Sequence, residues 1–275
     1  MHLSGLFIHP VKSLRGCAVP AADVDALGLV GDRRFMVVDA AGRFLTQRTL
    51  PRMALIETDL GPEALILSVP GQGGVSVPLH APRDSRPTVA VTVWGSTGLA
   101  TEDCGEAAAA WLGYFLGTPC LLVRIGGAFH RPLLKPGKAL PGDLTSFADS
   151  YPFLVIGEAS LADLNDRLAG QGGEALPMNR FRPNLVVAGA AAFAEDTWTG
   201  VRIGSLVFRA GGPCARCVVT TTDQATAERG PEPLRTLARY RRDTADPTNV
   251  NFGQNLIHET KTGTLRLGDP VEPAG

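Results

Sequence analysis

The chain has 275 residues, of which 44% are hydrophobic and 19% charged, and its formal net charge is −1. This length allows one large domain or two modest ones with a sizeable buried core. The near-neutral balance excludes a disordered acidic tail and offers no broad basic face, so no nucleic-acid partner is expected.

The amino-terminal sequence and the cysteine content indicate the cellular compartment of the protein. No apolar run approaches the ~20 residues that a membrane-spanning helix needs. The first residues, MHLSGLFIHPVKS, lack the basic start and the small-residue cleavage site of a secretory signal. Five cysteines, an odd number, favour reduced thiols over a disulfide framework. We therefore predict a cytoplasmic protein that has no membrane partner.

Short strands separated by turn signals are predicted over the first hundred residues. The segments are rich in Val, Ile and Leu and are bounded by Gly, Pro or Asp; they are 3–9, 34–39, 53–59, 64–69, 74–79 and 88–93. Residues 39–42 are typical of a hairpin turn. Asp103 and Glu106 have the spacing of a capping box, which predicts a helix that begins at Asp103, and a strand is predicted at 120–125.

The stretch 126–146 is dense in Gly, Pro, Lys and Arg and shows no periodicity, which indicates a domain boundary or a long functional loop. We predict two domains, residues 1–125 and residues 126–275. In the second, helices are predicted at 160–168 and 232–241, and strands at 151–156, 184–188, 203–209, 217–222, 254–258 and 264–267. The predicted fold class is mainly β (α+β), with two barrel-like halves and a few helices.

Cys214 and Cys217 form a CxxC pair, which is typical of half a zinc ribbon or of a thioredoxin-type redox motif. A zinc ribbon needs a second close pair of Cys or His residues, and the sequence has none. A thioredoxin-type pair lies where a strand turns into a helix, whereas the β-branched run after Cys217 predicts a strand. Neither interpretation fits the pair well.

Four short segments carry chemistry: HPVKS at 9–13, DRRF at 32–35, NRFRPN at 179–184 and PCARC at 213–217. Each alone has a structural explanation, for example a solvated lysine or a buried thiol. In order, and together with FADSYPFLVIGEASLADLN, AEDTW and NFGQN, they resemble the MOSC superfamily, named for the molybdenum cofactor sulfurase C-terminal domain. The sequence is similar in particular to the branch that contains the mitochondrial amidoxime-reducing component and its bacterial relatives.

The resemblance implies an N-terminal β-barrel domain and a MOSC domain that share one molybdenum-molybdopterin site in the cleft between them. In the family, the second cysteine of the motif binds the metal, so Cys217 is the implied metal ligand and catalytic residue; a soft thiolate suits such a metal. Cys214 is interpreted as a supporting or structural residue. Arginine and lysine suit the cofactor phosphate, and the implied cofactor-binding residues are Lys12, Ser13, Arg34, Ser150, Tyr151, Arg182, Arg216 and Asn255.

The implied activity is that of a molybdenum-dependent oxidoreductase, which reduces N-hydroxylated compounds such as amidoximes and hydroxylamines by oxygen-atom removal at the metal. The sequence has neither a C-x4-C-x2-C cluster motif nor a dinucleotide fingerprint after a strand. A separate electron donor of the flavin reductase, ferredoxin or cytochrome type is therefore expected. Asp149 is a candidate proton donor or, alternatively, a carboxylate that caps a strand turn. The protein is expected to be monomeric and independent of pyridoxal phosphate.

Two other functions stay open at this point. In one, the protein is a cofactor-binding or sulfur-carrying module without its own turnover, and Cys217 bears a persulfide. In the other, it is a structural β protein whose arginines and cysteines are incidental. The metal and sulfur content of the purified protein distinguishes these two from the reductase.

Overall fold

The computed structural model of the chain describes residues 1–79 and 87–274. The first part of the chain is almost entirely strands with one helix. Its elements are β1 (His2–Ile8), β2 (Cys17–Ala18), β3 (Ala21–Asp25), β4 (Gly28–Leu29), β5 (Phe35–Val38), β6 (Glu57–Leu60), β7 (Ala64–Ser68), β8 (Gly74–Pro78), β9 (Thr88–Val93), β10 (Ser96–Asp103), α1 (Glu106–Leu116) and β11 (Leu121–Ile125).

The second part contains one longer helix and one short helix among further strands. Its elements are β12 (Phe153–Gly157), α2 (Glu158–Ala169), β13 (Leu185–Ala188), β14 (Gly200–Ile203), β15 (Leu206–Ala215), α3 (Leu234–Leu237), β16 (Asn251–His258), β17 (Gly263–Arg266) and β18 (Val271–Ala274), together with 3-10 turns such as Met178–Arg180. The prediction of a mainly β fold with a few helices is confirmed. Within the described residues, no helix is long and apolar enough to cross a membrane.

The largest sheet within the described residues has the strand order β18-β14-β15-β16-β12-β13-β1-β2. The amino-terminal strand β1 pairs antiparallel with β13, and β13 pairs parallel with β12. A second sheet has the order β5-β11-β10-β9 and belongs to the first part of the chain. The first strands therefore complete the sheet of the second half. The boundary after residue 125 stays a prediction.

The hydrophobic core also combines residues from both parts of the chain. One buried cluster joins Leu3 and Leu6 of β1 to Phe153, Leu185 and Phe208 of the second part. Another packs α1 against the strands of the first part, through residues that include Val37, Leu65, Leu67, Leu112, Phe115 and Leu122. Removing β1 would uncover the first cluster, so the two halves are joined by apolar burial as well as by strand pairing.

The structure corrects the strand that was predicted over residues 217–222. Residues Val218–Thr221 form a 3-10 turn instead, and β15 ends before them at Ala215. The hydroxyl of Thr220 donates to the Cys217 carbonyl at 2.9 Å, and the hydroxyl of Thr221 donates to the Val218 carbonyl at 2.7 Å. Threonine side chains thus bond to the backbone of their own turn, which competes with strand formation.

Further segments differ from the prediction, among them the strand predicted at 203–209, which is divided by a turn between β14 and β15. The late helix predicted at 232–241 is shorter and contains only Leu234–Leu237. After it, some backbone hydrogen bonds join residues three apart instead of four, such as the bond from the Tyr240 amide to the Leu237 carbonyl. The predicted strand at 53–59 begins instead within a 3-10 helix, Pro51–Leu55, and only then continues as β6. Pro51 at the start of that turn fixes a φ angle that suits a helical turn.

Glu195 anchors the start of α2 from within the core. It is fully buried, and its carboxylate accepts hydrogen bonds from the Gly157 amide at 3.0 Å and from the Ser160 hydroxyl at 2.8 and 2.9 Å. Burial raises the pKa of the Glu195 carboxyl above its usual 4.5, although these hydrogen bonds oppose the shift. The predicted helix at 160–168 therefore begins two residues earlier, held by a residue distant in sequence.

We expect Glu195→Ala to lower the free energy of unfolding by ~1–3 kcal/mol, because buried donors lose their acceptor. Glu195→Gln keeps an acceptor oxygen and should cost less. Because the folded-state pKa is raised, the wild-type carboxyl supports folding fully below a pH of about 4.5 and loses that contribution as pH rises through the folded-state pKa. Urea denaturation at acidic and neutral pH should therefore show that the free energy of unfolding of Glu195→Gln, relative to that of wild type, increases toward neutral pH. A difference that does not depend on pH would contradict this.

Candidate functional site

A cleft with a volume of about 670 Å³ is lined by residues from both parts of the chain. This volume lies within the range of pockets that hold a small organic ligand. One carboxylate, Asp149, lines the cleft together with six cationic side chains, which are Lys12, Arg33, Arg48, Lys135, Arg182 and Arg216. In a chain whose net charge is −1, such a concentration of positive charge favours an anionic ligand.

Most of the site residues predicted from the sequence line this cleft. They are Lys12, Ser13, Ser150, Tyr151, Arg182, Arg216, Cys217 and Asn255. Segments that are far apart along the chain therefore meet at one place. Cys214, interpreted as a supporting residue, lines the same cleft.

Arg34 is the predicted residue that lies elsewhere. Its Nη2 donates to the Asp25 carboxylate at 2.7 Å and to the Leu29 carbonyl at 3.1 Å. Its neighbour Arg33 lines the cleft instead. Arg33 precedes β5 and has a left-handed φ of 49°, so the two adjacent side chains leave the backbone in different directions. The structure favours Arg33 over Arg34 at this position.

The backbone around the cleft is held in unusual conformations. Four residues that line it have a left-handed φ: Ser13 at 68°, Arg33 at 49°, Trp94 at 52° and Arg182 at 53°. They are four of the six non-glycine residues with this conformation in the described part of the chain. Such positions cost on the order of 1–3 kcal/mol each and concentrate at functional sites. The clustering supports assigning a function to this cleft.

Lys12 is buried rather than solvated, with only 4% of its surface exposed. Its Nζ donates to the Phe147 carbonyl at 2.8 Å, forms an ion pair with Asp149, and lies 4.9 Å from the centroid of the Phe44 ring. Burial lowers the pKa of Lys12 to about 8, although Asp149 opposes the shift. The Lys12 amine is therefore held in the lining of the cleft by a carbonyl, a carboxylate and an aromatic ring.

Asp149 accepts hydrogen bonds from three side chains. Its Oδ1 bonds to Lys12 and to Trp94 Nε1 at 3.2 Å, and its Oδ2 accepts from Arg48 Nη2 at 2.8 Å. Burial alone would raise the pKa of Asp149, but Lys12 and Arg48 outweigh it and hold the pKa well below its usual range. A carboxylate that stays ionised has no proton to give, so the structure argues against Asp149 as the proton donor.

Arg182 and Arg33 place two guanidinium groups near each other in the lining of the cleft. Arg33 pairs with Asp32 at 2.5 Å and also donates to the Asn184 side chain at 3.2 Å. Arg182 donates to the Leu14 carbonyl at 2.6 Å, and burial, followed by the charge of Arg33, lowers the pKa of Arg182 to about 9. Desolvated like charges are costly unless an anion joins them.

Cys217 lies two residues after the end of β15, at the start of the 3-10 turn, and is half-buried. Its Sγ accepts a hydrogen bond from Arg48 Nη2 at 3.4 Å. The Cys214 sulfur contacts Arg216 Nη1 at 2.8 Å, and Arg216 also donates to the Phe181 carbonyl at 2.6 Å. The two thiols of the CxxC pair therefore face different arginines.

Asn255 fixes the end of β15 that leads to the cysteines. Its Nδ2 donates to the carbonyls of Gly212 and Pro213, both at 3.1 Å. The pairing of β15 with β16 is irregular at these residues, so two carbonyls that leave the regular ladder are satisfied by a side chain. Asn255 therefore shapes the wall of the cleft.

Besides Arg33, the lining residues that were not predicted from the sequence include Arg48, Trp94 and Lys135. Arg48 lies in a loop of unremarkable composition, and Lys135 in the long stretch 126–146, so neither carries a local signal. Trp94 does carry one: a large aromatic residue followed by Gly95 stands in the tight connection between β9 and β10, where 48% of it is exposed.

Family models match both parts of the chain. Residues 1–119 match the MOSC N-terminal beta barrel domain, and residues 143–272 match the MOSC domain. The chain is 35% identical to mitochondrial amidoxime-reducing component 1 of Homo sapiens, over 97% of this chain and 81% of that protein. It is 33% identical to mitochondrial amidoxime reducing component 2 of Rattus norvegicus, over 98% of this chain and 82% of that protein.

A second group of relatives is longer. The chain is 34% identical to the molybdenum cofactor sulfurase of Danio rerio, over 98% of this chain but only 34% of that protein. Both groups of relatives align with nearly the whole length of this chain, and the family resemblance predicted from the sequence is confirmed. The chain therefore belongs to the MOSC-domain superfamily and is a relative of the amidoxime-reducing components.

Proposed function

We propose that this protein is a molybdenum-cofactor-dependent reductase of N-hydroxylated compounds such as amidoximes. The observation that carries the proposal is that Cys217 and the six cations line one cleft. A thiolate is a suitable ligand for a soft, redox-active metal, and the cations suit the phosphate of a pterin. The similarity to proteins named as amidoxime-reducing components supports the choice of reaction.

The pairing of the charged side chains in the cleft shows whether an anionic cofactor fits there. Lys12, Arg33 and Arg48 form ion pairs with Asp149 or Asp32. In the part of the chain that the structure describes, three cations of the cleft form no ion pair with a carboxylate: Lys135, Arg182 and Arg216. All three are partly buried, and a desolvated cation without a counter-charge is costly. An anionic cofactor would neutralise them, so the residues present fit the group.

Different residues of the chain would hold different parts of the cofactor. Arg182 and Arg33, with Ser13 beside them, would bind the phosphate, because a guanidinium can donate to two phosphate oxygens at once. Cys217 would provide the thiolate ligand, and the bound molybdenum would supply the two-electron removal of oxygen from the substrate. The exposed Trp94 ring offers an aromatic surface within the same cleft, against which an aromatic amidoxime can pack.

Elemental and sulfur analysis of the purified protein tests the proposal. We expect near-stoichiometric molybdenum together with benzamidoxime reduction in the presence of an electron donor. A persulfide on Cys217 without metal would instead support the sulfur-carrier alternative. The similarity to molybdenum cofactor sulfurase is the reason for considering that alternative. Protein with neither metal nor persulfide would contradict both and leave a structural role.

The source of electrons gives a separate prediction. The sequence has no cluster-binding cysteine set and no dinucleotide fingerprint, so we propose that a separate donor protein in the cytoplasm delivers the electrons. The isolated, cofactor-loaded protein should leave NADH and NADPH unoxidised in the presence of benzamidoxime. It should reduce benzamidoxime when reduced viologen is added, because a small one-electron donor can reach the metal directly. Consumption of NADPH without an added reductase would contradict the need for a partner.

A further inference from the structure

Arg48 occupies a position that the proposed cofactor chemistry does not account for. It belongs to the loop between β5 and the 3-10 helix Pro51–Leu55, in the first part of the chain, yet its Nη2 lies 3.4 Å from the sulfur of Cys217. The same nitrogen donates to the Asp149 carboxylate at 2.8 Å. A single guanidinium therefore joins the thiol at the wall of the cleft to the carboxylate that is paired with Lys12.

The side chain of Arg48 is held on its other sides as well. Its Nη1 donates to the Thr46 hydroxyl at 3.2 Å, and its guanidinium carbon lies 4.9 Å from the centroid of the Trp94 ring. Trp94 itself donates from Nε1 to Asp149 at 3.2 Å. The planar guanidinium thus stacks on an indole and bonds at its edge, an arrangement that lysine cannot reproduce.

The backbone of the loop is anchored from the second part of the chain. The Arg229 guanidinium donates to the Gln47 carbonyl and, at 2.9 Å, to the Arg48 carbonyl. The Arg48 amide also donates to the Thr46 hydroxyl at 3.3 Å. Side chain and backbone are both restrained, so the donor stays aimed at Cys217. Preorganisation of this kind is typical of groups that tune a reactive centre.

We propose that Arg48 is a positioning residue for Cys217: by donating to Sγ it orients the thiolate and raises the reduction potential of the metal that the thiolate binds. This inference rests on the proposed function. The physical reason is that a positive hydrogen-bond donor withdraws electron density from a metal-bound sulfur and stabilises the more negatively charged, reduced state of the centre. The N-terminal domain would then set the potential of a centre whose ligand lies in the MOSC domain.

The experiment compares wild type, Arg48→Gln and Arg48→Lys, each purified with its cofactor. Arg52→Gln is the matched control, because Arg52 lies four residues further on, is exposed, and packs over the Phe115 ring instead of the cleft. The measurements are molybdenum content, the midpoint potential from a redox titration followed by Mo(V) paramagnetic resonance, the resonance spectrum, and kcat and KM for benzamidoxime.

We expect Arg48→Gln to keep its molybdenum and to show an altered resonance spectrum. At a fixed potential its ratio of oxidised to reduced metal should rise about tenfold, equivalent to about 59 mV for a one-electron step. A centre of lower potential is harder to re-reduce, so kcat measured with a limiting electron donor should fall while KM changes little. Arg48→Lys keeps the charge and should recover part of the shift, and Arg52→Gln should match wild type.

Three outcomes would overturn the inference. An unchanged potential and spectrum in Arg48→Gln would show that Arg48 only supports Asp149. Loss of molybdenum from both Arg48 variants would show that the residue builds the site instead of tuning it. Wild-type protein that carries no molybdenum would overturn the proposed function, and this inference with it; the first two outcomes leave the proposed function standing.

Discussion

Cys217→Ser is expected to abolish benzamidoxime reduction and to lower the molybdenum content of the purified protein. A serine hydroxyl is a harder ligand than a thiol and ionises far less readily, so it cannot replace the thiolate at a soft metal. The fold should survive, because Cys217 is half-buried at the start of a turn and its backbone carbonyl, not its sulfur, accepts the hydrogen bonds within that turn. Metal analysis and a viologen-driven assay measure the two effects.

Cys120→Ser is the matched control for this change. Cys120 packs in the core of the first part of the chain, beside residues such as Leu122, and is 7% exposed. Burial raises the pKa of its thiol to about 11, so it stays neutral and behaves as a small apolar side chain. Its replacement should cost some stability but leave molybdenum and activity nearly intact. Equal activity in wild type and Cys217→Ser would contradict the assignment of the metal ligand.

Local patterns predicted much of the fold, because the signals lie within short stretches of sequence. The apolar run at β12 and the periodic leucines of α2 depend on neighbouring residues alone, and both elements lie close to the predicted positions. The partner of β1 is different. Its pairing with β13 joins residues almost two hundred positions apart, and hydrophobic alternation shows that a strand has a partner without showing which one.

The cleft was predictable where a motif marked it and not elsewhere. Cys217 and Arg182 belong to short motifs that carried the family resemblance. Arg48 reaches the cleft from a loop whose course is set by Thr46, Arg229 and other distant contacts, and no local pattern encodes such an approach. The choice between two adjacent arginines also depends on geometry, since one left-handed residue decides which side chain faces the cleft.

That choice leads to the second large expected effect, on cofactor content. Arg182→Ala and Arg33→Ala should each yield folded protein depleted in pterin. Each lost charge-assisted interaction with a phosphate is worth on the order of 1.5–3 kcal/mol, or roughly tenfold to a hundredfold in affinity. In Arg182→Ala, thermal stability should change less than occupancy, because Arg182 bonds within the protein mainly to one carbonyl.

Arg34→Ala supplies the contrast for these two variants, because it removes a neighbouring arginine of the same charge that pairs with Asp25 outside the cleft. Pterin content, measured by fluorescence after oxidation, should stay near the wild-type value in this variant while it falls in the other two. This difference in pterin content distinguishes the effect of where the guanidinium lies from the effect of losing one positive charge. Full pterin in Arg33→Ala with depletion in Arg34→Ala would contradict the placement of these side chains, and full pterin in all three variants would put the phosphate elsewhere.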